Sequence, residues 1–372
     1  MRIHIPTIPE ALLSRGPTPV IDVLVASERV ASFLDKGNTL VVTGAGVSVE
    51  SGIRAYRGKT GRYMNPNYKY VIVRLCEVIE FTNVPPKDLF FIMNLWIRPL
   101  EAIVSGEQFP IGTPRELTST TRQRYWSRSY LGYPPVRDAQ PNPTHFALAA
   151  LQWSSFVPRL ITQNVDGLHQ KAIPKEAPLS GPGHILDLHG TLHTVHCRRN
   201  HKVNREEFQE QLSRLNPEWK NYMDEMARTG NEPRTNPDGD VDIGGKDFSN
   251  FVLPVCEACL AEGVRDDVMK PAVIFFGESI PQDVKQQSFS DVEASDRVLF
   301  VGTTLATYSA FRLLKHAIEL NKPVMLLNLG PTRAHSVPQV EIIEAASRDV
   351  LRGAARALTR KYVIDRLRFT RP

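Results

Sequence analysis

Leu40-Val41-Val42-Thr43-Gly44-Ala45-Gly46-Val47-Ser48 is the stretch whose reading decides the fold. A β-branched run ends in a glycine-rich turn, and the small and polar residues at 48–52 suit the opening of a helix. That arrangement lets backbone N–H groups approach a phosphate at the positive end of a helix. Working outward, residues 23–33 place apolar side chains near helical spacing, 158–162 read as a second strand and 185–188 as a third. Three more apolar bursts follow at 272–276, 298–301 and 324–327, with a helical pattern at 311–319 among them. Apolar strands alternating with helices predict an α/β protein, a Rossmann-like parallel sheet with helices on both faces.

The chain has 372 residues, which suggests two domains or one large domain carrying an insert. Apolar residues make up 42% and charged residues 23%, so disordered and collagen-like classes are excluded. No apolar run approaches the length of a membrane span; the densest, 90–97, is interrupted by Asn94. A net charge of +5 fits an anionic small molecule, but on a chain this long it is a weak nucleic-acid signal, and no basic stripe interleaved with aromatics supports one. The first residues lack the apolar core of a secretory signal; Arg2 and Arg15 fit a mitochondrial leader, whereas Glu10 and the two early prolines do not.

Residues 193–270 break the strand–helix rhythm. They are rich in charge, proline and glycine and hold Cys197, Cys256 and Cys259, three of the four cysteines; they read as an inserted small domain. Cys76 stands apart and reads as a small apolar residue expected to be buried. Cys256-x-x-Cys259 is a metal spacing, and zinc requires four soft or borderline ligands in a tetrahedron. Asn200 occupies the place where a matching pair would put the fourth thiol, and His201, one residue on, is the nearest substitute. A site without metal, or three thiolates completed by water, stay open as alternatives.

Three loops at strand ends carry candidate chemistry, as open parallel sheets bind ligands there. In the first, Val49 stands where a dehydrogenase fingerprint needs its third glycine, and no acidic residue lies between Glu50 and Glu77, so hydride transfer is disfavoured. In the second, Gln163, Asn164 and Asp166 present groups suited to ribose hydroxyls and a carboxamide. In the third, Asp187-Leu188-His189-Gly190, a histidine beside a glycine could act as a general base near neutral pH.

In this order the motifs resemble the sirtuin family of NAD-dependent protein lysine deacylases. The blocks GAGVSVESGI…YRG, TQNVDGLHQKA, LHGTLHTVHC, KPAVIFFGE, VGTTLATYSA and LNLGPTR carry the resemblance, over roughly residues 25–355 apart from 70–110. RQRYWSRSYLGYP, QPNPTHFAL, LNPEW, NPDGDVD and the TYS after GTTL look like class II, most similar to a mitochondrial branch associated with ADP-ribosyl transfer and with removal of lipoyl and other unusual acyl groups. The resemblance implies a Rossmann-like domain at 26–192 and 271–355, a small zinc-binding domain at 193–270, an N-terminal extension or leader at 1–25, an atypical insertion at 70–110 and a C-terminal tail at 356–372.

It further implies that Gly44, Ala45, Gly46 and Ser48 cradle the NAD pyrophosphate and that Arg57 belongs to a cofactor loop. Gln163 and Asn164 would address the nicotinamide ribose and its water, Asp166 the carboxamide, and His189 would be the base, with Asn164 beside it in catalysis. Gly302, Thr303 and Thr304 would line the phosphate side, and Asn328, Leu329 and Gly330 the adenine ribose. Cys197, His201, Cys256 and Cys259 would hold a structural zinc. The acylated lysine of a protein substrate would lie extended between 276–278 and 305–309. Nicotinamide would leave as positive charge builds on the ribose, and His189 would then take a ribose hydroxyl proton. The implied protein is a monomer of the mitochondrial matrix; ADP-ribosyl transfer to protein, or an NAD and acyl-lysine binding module of low turnover, are the alternative outputs. Where the family reads Ile-Pro-Asp-Tyr/Phe-Arg, this chain has Ile53-Arg54-Ala55-Tyr56-Arg57, losing a rigid proline and a carboxylate. Residues 70–110 have no family counterpart, and read as a lineage-specific loop or translated non-coding sequence.

Overall fold

The computed structural model describes residues 8, 21–55, 114–174, 184–230, 241, 243, 246–264, 268–275 and 278–369, with side chains from 122 in the helix that starts at 114 and up to 360 in the last one. The insertion expected at 70–110 lies outside the described residues, as do Arg57 and most of 1–25. The chain divides into two compact units.

The larger unit holds a six-stranded parallel sheet in the order β3-β2-β1-β7-β8-β9. Its strands are β1 (Thr39–Thr43), β2 (Arg159–Thr162), β3 (His184–Asp187), β7 (Arg297–Val301), β8 (Val324–Leu327) and β9 (Val340–Ile343). Side chains alternate between its faces. Val41, Leu160, Leu299 and Met325 meet helices α1 (Val23–Leu34), α3 (Pro143–Trp153) and α10 (Ser347–Phe369) through Val30, Leu148, Leu151, Val350 and Leu351. Val42, Ile161, Phe300 and Leu326 meet α8 (Gln282–Glu293) and α9 (Tyr308–Glu319) through Val292, Leu313 and Leu314. Both faces are covered, as the unbroken apolar strands require.

The first helix starts where the apolar spacing predicts, at Val23, and the Asp22 carboxylate accepts from the amides of Leu24 and Val25 and caps it. Two other stretches differ from the sequence reading. The expected tail at 356–372 begins as helix: α10 continues to Phe369 and Leu358 is buried in the core. The stretch after Gly44 is a 3-10 helix, Ala45–Ser51, closed by Gly52 at a φ of +86°. Strand β9, whose Glu341 is exposed at the sheet edge, has too weak an apolar pattern to read from sequence.

The smaller unit carries a three-stranded sheet in the order β5-β4-β6, with β4 (Gly190–His196), β5 (Lys202–Asn204) and β6 (Lys270–Val273). The burst at 272–276 therefore does not supply a strand of the large sheet; it falls partly in β6. The unit takes in more chain than 193–270: helix α2 (Pro114–Asp138) and residues 271–275 belong to it, because Trp126 and Tyr130 of α2 fill its core with Phe208, Trp219 and Phe251 of the inserted segment. Trp126 also donates its indole N–H to the Met269 carbonyl at 3.0 Å. Arg205, the first residue of α5 (Arg205–Leu215), is buried between Trp126 and Tyr133, 4.3 Å from the Tyr133 ring centre, and donates to Gln209 and the Ser129 carbonyl; burial pushes its pKa down to about 10.

The two strand-end loops at the middle of the large sheet touch backbone to backbone. Gly44 N–H donates to the Val301 carbonyl at 3.1 Å and Gly46 N–H to the Gly302 carbonyl at 2.8 Å. A Cβ on Gly46 would lie 2.7 Å from that carbonyl, and one on Gly302, whose φ is +59°, would lie 2.7 Å from the Val47 nitrogen. Gly302→Ala is expected to cost about 1–3 kcal/mol, since neither the left-handed backbone nor the contact tolerates a methyl group. A denaturant midpoint equal to that of the parent chain would contradict this packing argument.

Candidate functional site

The loops after β1, β2, β3, β7 and β8 all leave from the carboxyl edge of the sheet, and together they bring most of the predicted residues to one place in the larger unit. Ser48 is the node on the β1 side. Its hydroxyl donates to Asp166 Oδ2 at 2.7 Å and accepts from Asn164 Nδ2 at 3.0 Å. His145 Nε2 approaches it at 3.4 Å, while His145 Nδ1 accepts from the Asn142 N–H at 3.3 Å. Because Nδ1 accepts, the His145 proton sits on Nε2, and the Ser48 oxygen takes two donors while giving one proton. Asp166 Oδ1 accepts from the Leu168 N–H at 3.0 Å, so the carboxylate is anchored at both oxygens.

Gln163 is the node on the other side. Its Nε2 donates to the Thr43 carbonyl at 3.1 Å and to Thr303 Oγ1 at 2.9 Å, and Thr307 Oγ1 donates to its Oε1 at 3.2 Å. The side chain expected to address a ribose thus ties three loops together, and its own carbonyl lies 3.0 Å from His189 Nδ1. A carbonyl only accepts, so Nδ1 bears the proton and the lone pair of His189 is on Nε2, where Ser309 Oγ approaches to 2.8 Å. Burial lowers the His189 pKa to about 4; the Gln163 carbonyl raises it, and the nearby charge of Arg312 lowers it again. The imidazole is neutral at physiological pH, the form a base requires.

The remaining predicted residues lie on the same edge. Thr303 Oγ1 accepts from the Leu305 N–H, and Leu305 is buried with φ +54°, an unusual backbone for leucine that bends the loop toward α9. The Thr304 carbonyl accepts from the Arg333 N–H. Asn328 turns its amide onto the carbonyls of Leu329 and Gly330, and the Gly330 N–H donates to Glu344, which leaves Leu329 exposed. Gly44 and Gly46 spend their amides on the neighbouring loop, so Ala45, at the start of the 3-10 helix, carries the first amide without an acceptor in its own helix.

Sequence reasoning gave no role to Thr43, His145 or His169, and took Thr307 and Ser309 only as part of the substrate-flanking stretch 305–309. His169 Nε2 lies 2.9 Å from Thr43 Oγ1, and its ring centre is 4.8 Å from that of His145. Their signal was present, since all five lie within or beside the motif blocks, but single hydroxyls and imidazoles carry no spacing rule that marks them.

In the smaller unit, Cys197, His201, Cys256 and Cys259 come together with their ligand atoms within 4.8 Å of one another. Cys197 Sγ and Cys259 Sγ are 3.7 Å apart, as are Cys256 Sγ and His201 Nδ1. Sulfurs at that distance are not bonded to each other. It is close to the ~3.8 Å edge of a tetrahedron with Zn–S bonds of about 2.3 Å. The donor set fits zinc. Asn200 adopts φ +63° and its N–H donates to the Cys197 carbonyl, so a left-handed turn at a residue type that tolerates it swings His201 into the fourth corner. Glu262 lies 3.4 Å from His201 Nε2 and also pairs with Arg199, orienting the ring from behind.

Comparison with known proteins gives concordant results. A family model described as the Sir2 family matches residues 110–309. An NAD-dependent protein deacylase SIR4 of Batrachochytrium dendrobatidis is 38% identical over 85% of this chain and 90% of its own. One of the same description from Monosiga brevicollis is 36% identical over 90% and 94%. The Drosophila melanogaster NAD-dependent protein deacylase Sirt4 is 33% identical over 85% and 82%. Among solved structures, a Sir2 homolog–NAD complex shares the fold with a TM-score of 0.54, at 20% identity over 94% of this chain and 99% of that one.

Two outcomes test this geometry. His201→Ala should lower bound zinc from one ion per chain, measured by elemental analysis of purified protein, and should loosen the smaller unit; full retention of zinc would exclude His201 as a ligand. Burial lowers the His145 pKa to about 4, and that of His169 falls well below its usual value. The unfolded imidazoles take up protons near pH 6.5 and the folded ones do not, so stability must fall as the pH drops from about 6.5 toward 4, by about 3 kcal/mol for His145 alone. His145→Gln should flatten the decline in the denaturation midpoint between pH 7 and 5; parallel curves for the two proteins would refute the assignment.

Proposed function

Because the chain belongs to the Sir2 family, we propose that it is an NAD-dependent protein deacylase, which takes acyl groups from lysine side chains of proteins and releases nicotinamide and O-acyl-ADP-ribose. The observation that carries this reading is His189: a neutral imidazole with its proton fixed on Nδ1 and its lone pair on Nε2, at the strand edge where anchored amide and carboxylate groups converge.

The residues present suit a dinucleotide. The Gly44–Gly46 turn opens a helix and has no room for a side chain against the β7 loop, which suits close approach of backbone to a pyrophosphate. Asn164 and Asp166 are buried polar groups held in fixed orientation by Ser48, suited to a ribose and a carboxamide. Thr303 and Thr304 line the β7 loop, and Asn328, Leu329 and Gly330 the β8 loop. When bound, NAD supplies an electrophilic ribose carbon on which the lysine's acyl oxygen can replace nicotinamide. This chain's contribution is orientation and proton transfer. Gln163 keeps the base and the β7 loop in one register, and His189 takes a hydroxyl proton at Nε2 with its Nδ1–H still held by the Gln163 carbonyl, which stabilises the imidazolium as it forms. The four-ligand site in the smaller unit is closed by protein groups, so zinc there would hold structure rather than activate water.

The same reading makes the protein a monomer of the mitochondrial matrix, the compartment associated with the class II motifs; microscopy of a tagged full-length chain and sedimentation of the purified protein address these points. The activity is tested by nicotinamide release. Wild-type protein should release nicotinamide in proportion to added acyl-lysine peptide, with kcat/KM flat from pH 7 to about 5 because the base stays neutral there. His189→Asn should lose deacylation by ~10²–10⁴-fold. Release only with an unmodified protein acceptor would replace deacylation by ADP-ribosyl transfer, and tight NAD binding without release would make the protein a binder.

A further inference from the structure

Both ring nitrogens of His189 are engaged. The Gln163 carbonyl accepts from Nδ1–H at 3.0 Å, so Nε2 has only its lone pair to offer, and Ser309 Oγ at 2.8 Å must be the donor to it. Ser309 is the second residue of α9, and the residue just before that helix, Thr307, donates to Gln163 Oε1 at 3.2 Å. The start of α9 therefore grips the same assembly twice, once through the Gln163 side chain and once through the ring. The atom that has to receive a proton is already occupied by a hydroxyl of the protein itself.

We propose that Ser309 is a positioning residue for the base. In the ligand-free enzyme its hydroxyl occupies the place of a substrate hydroxyl at Nε2, keeps the imidazole in the productive tautomer, and yields that place to a ribose hydroxyl when the dinucleotide binds. Ser309 keeps its own proton throughout; the incoming hydroxyl loses its O–H bond, its proton forms the N–H bond at Nε2, and the electron pair stays on the ribose oxygen. The inference rests on the reading of His189 as the base.

Among the described residues, the charge that acts on the ring is that of Arg312, and the nearest carboxylates along the chain, Asp187 and Asp166, are engaged elsewhere. Arg312 lies one turn beyond Ser309 on α9, its Nε and Nη2 buried without a hydrogen-bond partner, and its charge reaches His189. Asp187 at the end of β3 accepts from Gln170, and Asp166 after β2 accepts from Ser48 and the Leu168 amide. Ser309→Ala leaves all three in place, so a change in His189 titration reports the hydroxyl alone.

Imidazole ¹H–¹⁵N NMR of the ligand-free protein, assigned with His189→Asn, reads the titration directly. Loss of the donor should move the His189 pKa up by about one unit in Ser309→Ala and shift its Nε2 resonance, and Ser309→Thr should restore both. In steady state, Ser309→Ala should lower kcat/KM for NAD about fivefold while kcat at saturating NAD stays near the parent value, because the hydroxyl has left Nε2 once the dinucleotide is bound, and Thr should recover it. An unchanged pKa and Nε2 resonance in Ser309→Ala would overturn the proposal while leaving the base in place, as long as His189→Asn is inactive. Wild-type deacylation by His189→Asn would instead overturn the reading on which it rests. If Ser309→Ala does not fold, NAD added to the wild-type protein decides: a shifted Nε2 resonance supports the exchange of hydroxyls, and an unmoved one rejects it.

Discussion

The Gly46 N–H donates into the Gly302 carbonyl, and this one bond sets the spacing of everything at the sheet's carboxyl edge. β1 and β7 are adjacent in the sheet, so their loops leave in parallel and must either diverge or pack against each other. They pack, and only because both contacting residues lack a Cβ. The close approach brings Thr303 beneath Gly44 and within reach of Gln163, and Gln163 in turn fixes His189. Were the two loops a methyl group further apart, the network that orients the His189 ring would lose the link from Thr303 to Gln163.

The polar groups of the site are tied down by the protein before any ligand arrives. Ser48 spends its donor and both acceptor positions on Asp166, Asn164 and His145, and Gln163 spends its amide on Thr43, Thr303 and Thr307. Behind them, two buried neutral histidines stand where apolar side chains would be cheaper. Such a shell gives up adaptability and gains orientation: groups that cannot swing need no reorganisation when charge develops beside them. The cost falls on acid stability, because each buried imidazole resists the proton that the unfolded chain accepts.

The middle of the large sheet was legible because β1, β2, β7 and β8 are buried on both faces and so read as unbroken apolar runs. The region from 272 to 276 shows the limit of that rule: an apolar run states that a strand is buried, not which sheet it joins, and its partners are settled by the Trp126–Met269 contact far away in sequence. β9 was silent for the converse reason, as an edge strand with an exposed face. At the site, His189 and the strand-end loops could be read because glycine, amide and imidazole types at strand ends have few other uses. That Gln163 would act as a strut, or that Ser309 would meet the His189 ring, depends on partners 120 to 144 positions away. The fourth member of the Cys/His cluster was half legible: His201 read as the nearest substitute beside open alternatives, and its displacement by one residue makes sense once Asn200 is seen in a left-handed turn.

Gln163 holds the β7 loop with its side chain and the His189 ring with its main chain. Thr303 and Thr307 can therefore influence the orientation of the His189 ring through Gln163, a residue whose identity matters to both. Substitutions among these positions will not combine additively. For the lineage this means epistasis: a variant that repacks the β7 loop arrives already coupled to the His189 ring, so the two drift together unless position 163 changes first.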